Sequence, residues 1–132
     1  MRLLILLGFA LASAAATAQP LTEAEARRIL ETHLSVLIGA HEGERVQLIA
    51  VANGLLRHCR WRWEGNFDGL MDQHRQGLRR PETEMQRIVI WHGYWQGQAQ
   101  QRARQEGPAC DDALRGTLRD QVRAAHRAGP AR

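Results

Sequence analysis

Apolar residues recur at helical spacing along almost the whole chain, and this periodicity constrains the fold more than any other feature. Phe67, Leu70, Met71, His74 and Leu78 stand at i, i+3, i+4, i+7 and i+11, which draws one stripe along a helix from about Trp63 to Gly77. Ile29, Leu30, Leu34, Leu37 and Ile38 draw a second stripe that includes His33. Thr22 and Glu25 in front of it have the spacing of a capping box, and Gly39 behind it is placed to end the helix. The polar run His41-Glu42-Gly43-Glu44 reads as the turn that follows.

After the break at Arg79-Arg80-Pro81, a long helix is expected to about Glu106. Met85, Ile88, His92, Trp95, Ala99 and Arg102 share one of its sides. Gly107-Pro108 stops it, since proline lacks the amide a helix interior needs. Asp111 or Asp112 then caps a last helix with Leu114, Leu118, Val122 and Ala125 along one edge, ended by Gly129-Pro130. Residues 45–59 fit two patterns. Val46, Ile49, Ala50 and Leu56 have helical spacing, whereas Asn53-Gly54 is a two-residue hairpin signal. The helical flanks favour helix, because a lone hairpin with no third strand is marginal.

Residues 1–18 stand apart. Arg2 precedes an apolar run from Leu3 to Leu11, and Ala16-Thr17-Ala18 offers an A-x-A cleavage site before Gln19. This is the pattern of a cleaved secretory signal peptide. It leaves residues 19–132 as a single helical domain with a loose tail, free of any second apolar stretch long enough to span a bilayer. The expected location is a bacterial periplasm. Export also bears on the two cysteines, Cys59 and Cys110. An even count in an oxidising compartment implies one disulfide, and without C-x-x-C spacing a catalytic redox role has little support. The bridge would close the segment holding the Trp63–Gly77 helix and the long helix after it.

The basic residues are all arginine; there is no lysine. The net charge of +4 is small, so the high isoelectric point reflects the guanidinium's refusal to titrate and is no footprint of nucleic-acid binding. The densest local feature is Arg57-His58-Cys59-Arg60-Trp61-Arg62-Trp63. Guanidinium forks bind phosphate and carboxylate in bidentate fashion, and a tryptophan face supports stacking or cation–π contact. An anionic partner would suit it. The competing account has one Trp covering the disulfide, the other closing the bundle end, and the arginines solvated. A second feature, Trp91-His92-Gly93-Tyr94-Trp95, points aromatic groups around more than half of a helix. His92 and Trp95 would face the core, leaving Trp91 and Tyr94 nearer a surface where aromatic hot spots form. Gly93 within it suggests a close helix crossing.

For metals, none of the six histidines stands in HExxH or HxxxH spacing. Met71 and His74 at i, i+3 have the softness to favour copper, but both lie on the core stripe. No GxSxG motif is present, and Ser13 and Ser35 are the only serines. Glu64 and Asp68 at i, i+4 could meet on a surface without defining an acid–base pair, so no catalytic residue and no cofactor is assigned.

The run Leu56-Arg57-x-Cys59 with Trp61-Arg62, followed by an amphipathic helix, then His92-Gly93-Tyr94-Trp95-Gln96-Gly97 and Cys110, resembles a family of small exported helical proteins of unknown function, found mainly in alphaproteobacteria. In that family an LCxxx-WR region opens a disulfide segment, an FNxGYRxF helix follows and a second Cys closes it. The likeness covers about half of the mature chain. Trp91-His92 stand where the family has Phe-Asn, and Asp111-Asp112 where it has Thr-Pro after the second cysteine. The resemblance implies helices and a bridge, and no activity.

The expectation is therefore an all-α fold, a small helical bundle of about five helices with a Cys59–Cys110 disulfide. Its expected role is non-catalytic binding of an envelope protein, an anionic glycan or a lipid head group, with no nucleic acid. Arg60, Trp61, Arg62 and Trp63 would be joined in one surface to Trp91 and Tyr94. The alternatives are a metal-handling protein for copper or zinc and an enzyme acting on cell-wall material.

Overall fold

A computed structural model describes residues 20–129. Residues 1–19, which include the expected signal peptide, and residues 130–132, which include the expected loose tail, lie outside the described residues. Six α-helices follow one another: α1 (Glu23–Leu30), α2 (Leu34–Ile38), α3 (Ala40–His58), α4 (Glu64–Asp72), α5 (Glu82–Glu106) and α6 (Asp112–Ala128), with a π-helical turn over Gln73–Gly77 extending α4. No strand occurs among the described residues. The all-α bundle is as the periodicity requires, and the segment at 45–59 is helix up to His58, with Cys59 as its C-cap.

The centre of the molecule is α3, packed on α5 along one side and α6 along another. Its first turn lies by His74 and Arg80, just ahead of α5. Just past its last residue, Cys59 is bonded to Cys110, just past the end of α5, with Cα atoms 5.5 Å apart. Thus α3 and α5 run in the same direction and α6 returns against them. Leu34, Val46, Ile49, Leu70, Met85 and Ile88 are wholly buried in the main core. A smaller cluster of Ala52, Leu56, Leu118 and Val122 joins α3 to α6, with Trp61 and Trp63 packed against it. Burial of apolar surface of this kind is the main force holding such helices together.

Three local expectations are corrected. The single helix expected from Thr22 to Gly39 is two. The capping box of Thr22 and Glu25 forms, but the chain breaks at Glu31–His33. There the Thr32 carbonyl accepts from Trp91 Nε1 at 3.2 Å, and His33 Nδ1 accepts from the Ser35 amide to start α2. His33 thereby caps a helix and lays its ring 5.2 Å from that of Trp91.

The expected turn at His41–Glu44 is instead the first turn of α3, and Gly39 (φ 91°) makes the reversal alone. Gly43 allows α2 to cross here, since a Cβ on it would stand 2.5 Å from Ser35 Oγ. Gly93, expected at a helix crossing, faces open space; the close approach of α3 and α5 falls at Gly54, where a Cβ would meet the Gln96 carbonyl oxygen at 2.5 Å.

Candidate functional site

The residues after α3 reverse the chain within a few steps. The Cys59 amide still bonds the Leu55 carbonyl, Arg60 takes a left-handed conformation (φ 59°) with its amide on Arg57, and the Trp61 amide returns to the Leu56 carbonyl at 2.9 Å. This hook lays Trp61 against α6. The Arg115 guanidinium carbon sits 5.2 Å from the centre of the Trp61 ring, a cation–π contact. A groove of about 450 Å³ opens beside it. Leu56 and Val122 lie at its apolar floor; Trp61, Arg62 and Asn66 form one wall and Arg115, Arg119 and Arg123 the other, with His126 at one end. A second depression of about 570 Å³ adjoins it across Arg62 and Asn66.

The groove's charge is mostly unanswered. Arg115, Arg119 and Arg123 are exposed and stand at i, i+4 and i+8 on α6, so one face of the helix carries all three. Among the described residues Asp120 is the only carboxylate paired with any of them, 3.5 Å from Arg119 Nε, and both partners are solvent-exposed, where such a pair is worth little. Near Arg62, the Glu64 carboxylate is shared with the backbone. It accepts from the Trp63 amide at 3.1 Å, and backbone hydrogen bonds at the start of α4, its own first, and to a smaller extent the charge of Arg62 hold its pKa below the usual carboxylate value. At the end of the groove, burial and then the positive Arg45 lower the pKa of His126, which disfavours a further positive charge there. Gly69 leaves the space its ring fills, with Cε1 3.4 Å from where a Cβ would be.

The sequence-predicted residues divide between two places. Trp61 and Arg62 line the groove, and Arg60 is exposed on the hook above it. Trp63 turns inward, its ring stacked 6.4 Å from His92 and edge-on to Phe67. Trp91 is core: it is 7% exposed, bonded to Thr32 and packed on Trp95 at 4.8 Å. Tyr94 is 45% exposed and meets Trp91 edge-on. The expected joining of Trp91 and Tyr94 to the Arg60–Trp63 run is not found among the described contacts. What takes their place is the arginine series of α6, which sequence reasoning missed although the spacing of Arg115, Arg119 and Arg123 was there to be read.

Two buried polar chains cross the interior. In one, Asn66 Nδ2 donates to Asn53 Oδ1 and Asn53 pairs with His92 Nε2, each at 3.0 Å. In the other, Arg45 reaches the Ala125 carbonyl at 2.6 Å, Gln73 at 2.8 Å and Glu42 at 3.3 Å. Beside it Arg80 Nε donates to His74 Nδ1 at 2.9 Å, and His74 Nε2 faces Glu42 at 3.5 Å. Burial brings both His74 and His92 down to about 4, with Arg80 and Arg45 adding to the effect at His74. His74 and Met71 are both buried. Among the described residues no group of three or more His, Cys, Asp and Glu side chains is arranged to hold a metal ion, and His74 spends one ring nitrogen on Arg80.

Set against known proteins, the chain matches no family model, no curated protein and no solved structure. Among the described residues no helix is long and apolar enough to cross a membrane.

Proposed function

We propose that this is an exported, non-catalytic binding protein of the periplasm whose groove between the Arg60–Asn66 hook and α6 takes an anionic ligand. The observation that carries this reading is the convergence of Arg62, Arg115, Arg119 and Arg123 on one groove beside Trp61, with a single exposed carboxylate paired among them. Like charges gathered on one surface repel each other at a cost to stability, which an arriving anion relieves. Guanidinium forks are suited to the planar oxygens of carboxylate and phosphate. The disulfide and the leader-like residues 1–18 support export. The resemblance to small exported helical proteins adds no activity to the reading.

The experiment is a titration of intrinsic tryptophan fluorescence and heat with inorganic phosphate, galacturonate oligomers and phosphatidylglycerol vesicles. A variant carrying Arg62→Gln, Arg115→Gln, Arg119→Gln and Arg123→Gln is compared with Arg104→Gln on the far end of α5. Binding of at least one of these anions is expected, and its affinity should fall at least about tenfold in the groove variant, since each lost charge-assisted contact is worth roughly 1.5–3 kcal/mol. Equal affinity in the groove variant and wild type would remove the groove from the function.

A further inference from the structure

The arginines of α6 do more than converge on a pocket. Arg127 continues the series as the next residue at the same spacing, exposed and one turn beyond the groove. Arg115, Arg119, Arg123 and Arg127 therefore form a ladder with a step of about 6 Å, extending over about 18 Å of the helix. A compact anion is best held by guanidinium groups that point at one spot from several sides. Here the opposite wall of Trp61, Arg62 and Asn66 brings a single guanidinium against the ladder, and the ladder outruns the groove. The geometry favours a ligand that is itself linear and carries charge at regular intervals.

Two other features narrow its class. Proteins that track single-stranded nucleic acid offer successive aromatic faces on which bases stack. This groove has one tryptophan, and Arg115 already stands over its ring. A lipid surface calls for exposed apolar side chains beside the cations. The large exposed apolar residues here, Val36, Leu48, Val51, Val89 and Tyr94, lie on α2, α3 and α5, and none of them lines the groove. A chain of acidic sugars meets the remaining description. It is linear and carries one carboxylate per unit at regular intervals, and its hydroxyl groups suit a polar wall residue such as Asn66.

We propose that the α6 ladder binds a linear acidic glycan, its carboxylates engaging the guanidiniums along the helix, with the sugar at the Arg62 end seated in the groove beside Trp61. The proposal rests on the anionic-ligand reading above and specifies the ligand's form.

The test is calorimetry with galacturonate as monomer, trimer and hexamer at fixed ionic strength, repeated with Arg127→Gln, with inorganic phosphate and with a single-stranded oligodeoxynucleotide of matching charge as controls. Affinity should rise at least about tenfold from monomer to hexamer, because each further contact is intramolecular once the first has formed. The hexamer's salt dependence should be the steeper, and Arg127→Gln should weaken the hexamer several-fold while leaving the monomer and phosphate unchanged. If all lengths bind alike, or if Arg127→Gln has no effect on the hexamer, the ladder is not the binding surface, although binding of phosphate would still uphold an anion site. Tighter binding of the oligonucleotide than of the hexamer would overturn the glycan assignment. Absence of binding by every probe would remove the underlying reading as well.

Discussion

Gly54 on α3 and Ala99 on α5 leave no room for a side chain between them: a Cβ at position 54 would stand 2.7 Å from that of Ala99 and 2.5 Å from the Gln96 carbonyl oxygen. These neighbours include backbone, so they cannot turn aside, and Gly54→Ala must push the two central helices apart. It should destabilise the protein by about 1–3 kcal/mol, read as a fall in melting temperature by circular dichroism. Gly93→Ala is the control, since it enters open space in the interior of α5 and should stabilise by about 0.5–1 kcal/mol. Unchanged melting of Gly54→Ala would mean that α3 and α5 do not cross there.

The two interior histidines predict sensitivity to mild acid. Both have folded pKa values near 4, below the usual 6.5, so the unfolded chain takes up protons first. Their contribution is complete above about pH 6.5 and is lost as the pH falls toward 4, by roughly 3 kcal/mol for each histidine. The geometry agrees: Arg80 donates to His74 Nδ1, and a proton there would set two donors against each other. Urea midpoints should fall steeply between pH 6.5 and 4, and the slope should shrink in His92→Gln. A flat profile would place both rings in contact with water.

The Glu42–Arg45 pair tests whether the buried charge is held by its partner. Arg45→Met should cost about 3–5 kcal/mol because it strands the Glu42 carboxylate, 5% exposed, in the interior. The double variant with Glu42→Gln should lose less than the sum of the single losses. Urea unfolding of the four proteins gives the coupling, and strict additivity would show that Glu42 finds water or another cation.

Breaking the Cys59–Cys110 bridge frees a loop with a sequence separation of 51. On the chain-entropy account Cys59→Ser with Cys110→Ser should cost about 4 kcal/mol. Calorimetry of the oxidised protein and the double variant measures it. The loss should be felt most in the groove, whose two walls lie on either side of the link.

The helices were legible in the sequence because their signals are local. Apolar stripes at 3.6-residue spacing, the Thr22–Glu25 box, the Asp111 cap and the stop at Gly107 each depend on a few neighbouring residues, and each is where it was read. What escaped depends on partners distant in the chain. The break at Thr32 exists because Trp91, far along the chain, takes its carbonyl, and Glu42 is buried in the first turn of α3 facing His74 across the core, with Arg45 on its own helix as its partner. A Gly in a helix announces a crossing, but only the packing decides which Gly: Gly54 has the neighbour and Gly93 does not. The site was half legible. Trp61 and Arg62 were identified from local density, whereas Trp91 was misplaced because three-residue spacing does not say which of two faces a neighbouring helix will cover.

The Cys59–Cys110 bond ties the root of the hook that carries Trp61 and Arg62 to the root of the helix that carries the arginines. Every turn of the ladder is thus measured from a covalent joint, and the gap between the walls is set within a few residues of it. A chain holding its thiols reduced has the same arginines without the covalent joint that sets their distance from Trp61 and Arg62. On the proposed reading, a chain with its thiols reduced would hold an anion less firmly than the bridged one, since nothing covalent would fix the distance between the two walls.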